Sequence, residues 1–282
     1  MTIKTVGIIG SGIMGSGIAQ VAATSGFTVV LRSRKQETAD ATVAAMEKSL
    51  AKLVSKGRME EADATAAVGR VTATSKLDDL ADCDLVIESV VEDLATKVAL
   101  FNELDHHCKD DAILATNTST LPVIDMAIET RRPERVCGVH FFNPAPMMKL
   151  VEIIQTLVTS DETVASVRDF AEACGKSPVL VKDRAGFIVN ALLFPYLNNA
   201  VRMLENGTAS RDDIDAAMQG GANFPMGPFA LLDLVGLDTS LSILDALYDE
   251  FRDPNYAASP LLRRMVSAGH LGRKSGKGFY DY

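Results

Sequence analysis

Cysteine is scarce in this sequence. The 282 residues include only Cys83, Cys108, Cys137 and Cys174. No two of them form a CxxC pair, and no histidine stands beside them at the spacing of a zinc ligand. The pattern predicts buried free thiols in a reducing compartment, and it argues against a disulfide framework or a bound metal.

A long apolar run and an excess of positive charge are also missing. No stretch reaches the length needed to span a bilayer, and the opening MTIKTVGIIGSG lacks the basic-then-apolar order of a signal peptide. The net charge of -9 argues against nucleic acid, which requires a concentrated basic face. We therefore expect a cytoplasmic protein with no membrane and no nucleic-acid partner.

What the sequence does contain is an alternation of short apolar runs and helical patterns, up to about residue 183. This order predicts an α/β fold with a Rossmann-type doubly wound sheet over 1–183, followed by an all-helical C-terminal domain over 184–282. Strands are expected over 5–9, 27–31, 71–74, 85–90, 112–116, 136–141, 150–154 and 179–181. Helices are expected over 13–24, 35–56, 60–68, 94–106, 160–175, 187–205, 210–219, 239–251 and 260–267.

A glycine-rich turn lies between the first predicted strand and the first predicted helix. Gly10-Ser11-Gly12-Ile13-Met14-Gly15 matches G-x-G-x-x-G in the context that a dinucleotide site requires. Gly10 permits the tight turn, Gly12 lets the backbone approach a pyrophosphate, and Gly15 allows the helix to pack on the strand. The helix N-terminus then offers free N–H groups to the phosphates. The turn predicts a bound dinucleotide, with Ile13 and Met14 beside it.

The second predicted strand ends without the acidic residue that usually binds the ribose 2′-hydroxyl of NAD. Ser33 and Arg34 stand there instead, next to Arg32. An acid would repel a 2′-phosphate, whereas a hydroxyl and a guanidinium can bind one. This favours NADP(H) as the cofactor. NAD(H) remains the alternative, in which case the arginines are solvated loop charges.

Four segments carry polar residues at or near the ends of predicted apolar runs, where an open α/β sheet gathers its ligands. They are ATNTS at 115–119, VHFFNP at 139–144, KLVE at 149–152 and GFIVN at 186–190. With DAAM at 215–218, PMGP at 225–228, DLVGLD at 233–238 and GRKSGKGF at 272–279, they make the chain resemble the short-chain L-3-hydroxyacyl-CoA dehydrogenases. The resemblance is strongest to the bacterial 3-hydroxybutyryl-CoA dehydrogenases, and it runs essentially from end to end.

The resemblance implies a role for four side chains. His140 corresponds to the catalytic base that takes the proton from the 3-hydroxyl group, and Glu152 to the carboxylate that orients its imidazole. Such a pair is sound acid–base chemistry, because histidine changes charge near neutral pH and the carboxylate selects its tautomer. Ser119 and Asn190 correspond to the groups that hold the 3-oxygen and the thioester carbonyl of the substrate.

The resemblance also implies contacts to the cofactor and to coenzyme A. Positions that the family uses around the cofactor are Glu92, Lys97, Asn117 and Asn143. Positions that it uses for coenzyme A, on the second helix, are Ser49, Lys52 and Lys56. Ordinary helix charges would explain the lysines almost as well. No metal is implied, and a homodimer through the C-terminal helical domain is expected.

Two other functions fit the same sequence. One is a related dehydrogenase acting on another 3-hydroxy acid, of the gulonate or 3-hydroxyisobutyrate type; the latter class relies on a lysine, whereas this chain offers His140 with Glu152. The other is a non-catalytic relative of the lens-crystallin kind. That reading predicts eroded active-site residues, and all four are present here.

Overall fold

Short apolar segments of the first 183 residues form one eight-stranded sheet in the computed structural model, which describes residues 2–282. The order of the strands across the sheet is β3-β2-β1-β4-β5-β6-β7-β8. The strands are β1 (Thr5–Ile9), β2 (Thr28–Arg32), β3 (Val71–Thr74), β4 (Leu85–Glu88), β5 (Ile113–Thr116), β6 (Val136–Phe141), β7 (Leu150–Gln155) and β8 (Ser177–Lys182).

The sheet is parallel except at one pair, β6 and β7, which run antiparallel. The direction in which successive strands are added to the sheet reverses between β1 and β4. The connecting helices therefore lie on opposite faces of the sheet on the two sides of this point. A ligand crevice forms where parallel strands diverge in this way, beyond their carboxyl ends. The predicted Rossmann-type architecture is confirmed.

Helices surround the sheet in the first unit, which ends at Asp183, and make up most of the second unit, Arg184–Tyr282. The first unit contains α1 (Ile13–Thr24), α2 (Gln36–Ser55), α3 (Glu61–Gly69), α4 (Leu94–His107), α5 (Val123–Ala127) and α6 (Asp161–Ala173). The second contains α7 (Val189–Glu205), α8 (Arg211–Ala222), α9 (Pro228–Val235), α10 (Leu237–Phe251) and α11 (Pro260–Ser267).

Several helices begin at a residue whose side chain accepts a hydrogen bond from the first turn. Ser160 accepts from the N–H of Thr163, and Ser210 from the N–H of Asp213, so both predicted helix starts are confirmed. Over residues 2–282, no helix has both the length and the apolar character needed to cross a membrane.

Each unit buries its own apolar core. In the first unit, strand residues such as Ile8 and Leu31 pack with Ile18 of α1. In the second, Phe194 of α7 packs with Phe229 of α9 and Leu247 of α10. Since burial of apolar area is the main favourable contribution to folding, each unit is stabilised by an apolar core of its own.

The four cysteines lie inside the protein as free thiols, as the sequence predicts. Burial raises the pKa of Cys83 and of Cys137 to about 12, and that of Cys108 and of Cys174 to about 11. The thiolate is the reactive form of cysteine, so these side chains are chemically inert at neutral pH.

Candidate active site

The glycine turn joins β1 to α1 and has the geometry that a phosphate site needs. Gly10 has a φ of +114°, and a Cβ added there would lie 2.1 Å from the carbonyl oxygen of Ser89. A Cβ on Gly15 would lie 2.0 Å from the carbonyl oxygen of Gly10. These two glycines are therefore required by the fold itself.

Gly12 differs from its two neighbours. A Cβ added at Gly12 would meet no protein atom within 4 Å, so packing within the protein does not require glycine here. Gly12 is the N-cap of α1, and no side chain caps that end in the part of the chain that the structure describes. The open space and the free N–H groups fit an anionic ligand lying close against the backbone.

The turn opens onto a groove of about 1290 Å³ beside the end of β2. Ser33 is buried there, and its hydroxyl lies 2.9 Å from the hydroxyl of Ser11 in the turn. Arg34 is exposed to solvent, and Ile13 is exposed at the helix start. The groove is lined in part by Gly10, Ser11, Gly12, Arg32, Ser33, Arg34 and Lys35.

A histidine and a glutamate face each other across the antiparallel pair β6 and β7. His140 and Glu152 are register partners, and Nδ1 of His140 lies 2.8 Å from Oε2 of Glu152. Both side chains are buried. An ionised carboxylate only accepts hydrogen bonds, so this contact favours the imidazole tautomer that carries its proton on Nδ1.

The other ring nitrogen of His140 lies near a hydroxyl from the loop after β5. Ser119 Oγ lies 3.1 Å from Nε2 of His140. Asn117, in the same loop, accepts a hydrogen bond of 2.8 Å from the N–H of Phe141. Serine, histidine and glutamate thus form a continuous hydrogen-bonded series at the carboxyl end of the sheet, suited to moving a proton at one oxygen atom.

Comparison with known proteins connects this geometry to a family. Residues 5–184 match the 3-hydroxyacyl-CoA dehydrogenase NAD binding domain, and residues 186–282 match the C-terminal domain of the same enzymes. The chain belongs to the 3-hydroxyacyl-CoA dehydrogenase family. It is therefore an oxidoreductase that acts on a CH–OH group with a nicotinamide cofactor, as the resemblance in the sequence implies.

Individual relatives of the family match over nearly the whole chain. The 3-hydroxybutyryl-CoA dehydrogenase of Clostridioides difficile is 49% identical over 275 residues, which are 98% of each chain. The human mitochondrial hydroxyacyl-coenzyme A dehydrogenase is 44% identical over 287 residues, covering 99% of this chain and 91% of that one. The crystal structure of (S)-3-hydroxybutyryl-CoA dehydrogenase from Ralstonia eutropha superimposes with a TM-score of 0.97 at 43% identity, covering 100% and 99% of the two chains.

The remaining family positions of the first unit fall into two groups. Asn143 follows β6 and is exposed, as is Glu92 before α4. Lys97, by contrast, is only 1% exposed, and its ammonium group lies between Glu88 and Glu92. Met14 is half-buried at the start of α1 and packs against the core.

The coenzyme A positions and Asn190 lie on or directly after two helices. Ser49 and Lys52 lie on α2 and Lys56 directly follows it; all three side chains are exposed to solvent. Asn190 lies in the first turn of α7, in the second unit, and is buried.

Two residues of the site were missed by the sequence reasoning. Glu88 ends β4 and is fully buried, although the sequence predicts a strand continuing to residue 90. Thr118 is buried in the loop that carries Ser119. A charged residue at the end of an otherwise apolar strand was the available signal for Glu88, since buried charges need partners.

Proposed function

We propose that the protein interconverts (S)-3-hydroxybutanoyl-CoA and acetoacetyl-CoA, with a nicotinamide dinucleotide as the redox partner. The observation that carries this proposal is the buried pair of His140 and Glu152, with Ser119 on the other ring nitrogen. The names of the relatives, 3-hydroxybutyryl-CoA dehydrogenase among them, support the choice of substrate.

In this mechanism, His140 acts at the 3-oxygen of the substrate. Nε2 accepts the hydroxyl proton during oxidation and returns it during reduction, while Glu152 holds Nδ1–H and stabilises the imidazolium that forms. The dinucleotide, when bound, accepts or supplies the hydride. Ser119 donates a hydrogen bond to the developing oxyanion, and Asn190 is the proposed donor to the thioester carbonyl.

Phosphates of both ligands have candidate partners. The turn of Gly10, Gly12 and Gly15 is proposed to hold the pyrophosphate of the dinucleotide. Ser49, Lys52 and Lys56 are spaced so that they share one face at the end of α2, where the two ammonium groups can attract the phosphates of coenzyme A. Asn117, Asn143, Glu92 and Lys97 are the further proposed positions around the cofactor.

We propose NADP(H) as the preferred dinucleotide. Ser33 and Arg34 stand at the end of β2 where an acid would select NAD, and Arg32 and Lys35 line the same groove. Ser33→Asp places a negative charge beside the 2′-phosphate site. It should lower kcat/KM for NADPH by at least ~10-fold while changing kcat/KM for NADH much less. A wild-type enzyme that clearly prefers NADH would contradict this preference.

A steady-state assay tests the reaction itself. The protein, supplied with acetoacetyl-CoA and each reduced dinucleotide in turn, should oxidise the dinucleotide and form the (S)-3-hydroxy product. Free acids of the gulonate and 3-hydroxyisobutyrate type should be poor substrates. Turnover of a free acid with none of the thioester would favour the related dehydrogenases, and no turnover of either would favour a non-catalytic relative.

A homodimer in the cytoplasm is the proposed working form, with the reductive direction of butyrate fermentation, or fatty-acid metabolism, as its setting. Exposed apolar side chains of the second unit, including Leu192 on α7 and Leu234 on α9, support self-association. Sedimentation equilibrium should give twice the chain mass of 30.2 kDa. A Leu192→Glu variant should shift the mass toward the monomer.

A further inference from the structure

A fully buried lysine lies close to the proposed active site. Lys97 of α4 is 1% exposed, and its Nζ lies 2.7 and 2.8 Å from the two carboxylate oxygens of Glu88 and 3.3 Å from Oε2 of Glu92. An ammonium group removed from water is costly unless carboxylates are held against it. The lysine therefore constrains both glutamates.

Glu88 is the fixed end of this arrangement. It ends β4, is 0% exposed, and also accepts hydrogen bonds from the N–H of Val90 at 2.6 Å and from the hydroxyl of Thr116 at 2.7 Å. Thr116 is its register partner at the end of β5. Both carboxylate oxygens are thus held by the sheet and by the segment following β4. The position of Glu88 is therefore fixed by contacts other than the one to Lys97.

Glu92 is the end that reaches the loop after β5. Its Oε1 accepts from the hydroxyl of Thr118 at 2.5 Å and from the N–H of Ser119 at 2.9 Å. The hydroxyl of Thr118 in turn accepts from the N–H of Leu121 at 3.1 Å. One carboxylate oxygen therefore holds this loop, while the other oxygen is held by Lys97.

We propose that Glu88 is a positioning residue for the reaction: through Lys97 and Glu92 it fixes Ser119 against His140. The inference rests on the proposed function, in which Ser119 binds the 3-oxygen. The side chain of Glu92 is 43% exposed, so without Lys97 it would be free to turn toward water and release the N–H of Ser119. Small losses of alignment at a reacting oxygen lower the rate steeply.

A second lysine–carboxylate pair, next to the start of the same strand, supplies a control. Asp84 immediately precedes β4, at the end away from the active site, and lies 2.5 Å from Nζ of Lys109. This pair stabilises the sheet without reaching Ser119. Comparing the two pairs separates general loss of stability from loss of positioning.

The test is a kinetic cycle on the full-length protein with acetoacetyl-CoA and the preferred reduced dinucleotide. The paired variant Glu88→Gln/Lys97→Met removes both charges at once. Lys97→Met alone would leave the buried charge of Glu88 without its ammonium partner, and Glu88→Gln alone would leave Lys97 with only the partly exposed Glu92. It is measured in the wild-type background and in a Ser119→Ala background. Asp84→Asn/Lys109→Met is carried through the same cycle, and thermal unfolding confirms that each protein is folded.

We expect the Glu88/Lys97 pair to lower kcat, measured at saturating dinucleotide, by about 10-fold or more in the wild-type background, with the KM for acetoacetyl-CoA within roughly 3-fold. In the Ser119→Ala background it should change kcat by less than roughly 3-fold, because residues acting through one group are not additive. The control pair should lower the melting temperature and leave kcat within about 2-fold in either background.

An equal loss of kcat in both backgrounds would overturn the proposal, since the network would then act by a route other than Ser119. An unchanged kcat in an active wild-type background would overturn it as well, while the proposed function stood. A wild-type protein without turnover would remove both together. If the paired variant does not fold, Glu92→Ala, at an exposed position, passes through the same cycle with the same expected outcomes.

Discussion

At the scale of single residues, the proposed chemistry depends on one imidazole held from both sides. The carboxylate of Glu152 is hydrogen-bonded to Nδ1 of His140, and the hydroxyl of Ser119 is hydrogen-bonded to Nε2. The carboxylate and the imidazole are buried, so water does not compete for the hydrogen bond between them. The pair therefore needs no rearrangement before a proton moves.

Replacing the imidazole should remove catalysis but spare the binding of the dinucleotide. His140→Ala is expected to lower kcat by about 10²–10⁴-fold, the usual contribution of a positioned acid or base. Fluorescence titration with NADPH should give a Kd close to that of the wild type. Glu152→Gln should lower kcat by about 10²-fold, and the double variant should be little slower than His140→Ala alone.

His106→Ala is the matched control, because His106 is exposed on α4, where its Nδ1 lies 2.8 Å from the carbonyl oxygen of Asn102. It should retain wild-type kcat. Substantial activity in His140→Ala would mean that another group carries the proton.

At the scale of secondary structure, most strands and helices were predictable because their patterns are local. The strands Thr5–Ile9, Val71–Thr74 and Val136–Phe141 have the expected bounds, and each is short and contains β-branched residues, which favour strands. The helices α5 and α9 were not predicted. Both are short, and the apolar run of α9 shows no polar face, although Pro228 in its first turn was a usable signal.

The antiparallel orientation of β7 was not predicted either. This orientation places the two proposed catalytic side chains opposite each other. The connection from β6 to β7 covers only 142–149, too short for the helix that a parallel crossover needs. Orientation could thus have been read from the length of this connection. The hydrogen bonds of Glu88 and Glu92 could not, because they depend on how α4 and two loops pack against the sheet.

The glycine turn offers a test at this scale, because its glycines serve different purposes. Gly15→Ala should destabilise the protein by about 3 kcal/mol, lowering the melting temperature by about 10 °C, since its Cβ meets the backbone of Gly10. Gly12→Ala should change stability by less than about 1 kcal/mol, because its Cβ points into open space. It should nevertheless weaken NADPH binding by at least ~10-fold.

Differential scanning fluorimetry with and without NADPH measures both effects. Added NADPH should raise the melting temperature of Gly15→Ala more than that of Gly12→Ala. Equal stabilisation of the two variants by NADPH would show that the dinucleotide does not approach Gly12.

At the scale of the whole molecule, the fold is held partly by buried carboxylates, which makes it sensitive to acid. Burial alone would raise the pKa of Asp105, but hydrogen bonds from Arg131 and Arg132 outweigh it and lower the pKa. The pKa of Asp84 is lowered in the same way, against burial, by Lys109 and by the N–H groups of Lys4 and Thr5. Neither side chain has such partners in the unfolded chain.

The sign of the pH dependence follows from these lowered values. The stabilisation is fully present above the unfolded pKa of about 3.9 and is lost as the pH falls through it toward the folded pKa. The free energy of unfolding from urea titrations should therefore be steady from pH 7 to 5 and fall below about pH 4. Asp105→Asn should lower the free energy of unfolding by about 3 kcal/mol at pH 7. In this variant the free energy of unfolding should fall less steeply in acid than in the wild type. An equally steep fall in this variant would assign the acid sensitivity elsewhere.

The buried cysteines have a practical consequence for following the reaction in time. Because all four native thiols are shielded and protonated at neutral pH, a single cysteine introduced at an exposed position would be the one that takes up a maleimide fluorophore. Ser49 on α2, beside Lys52, is such a position. With coenzyme A bound along α2 as proposed, a dye at this position would report the arrival and departure of a thioester in a stopped-flow experiment, with every native cysteine left in place.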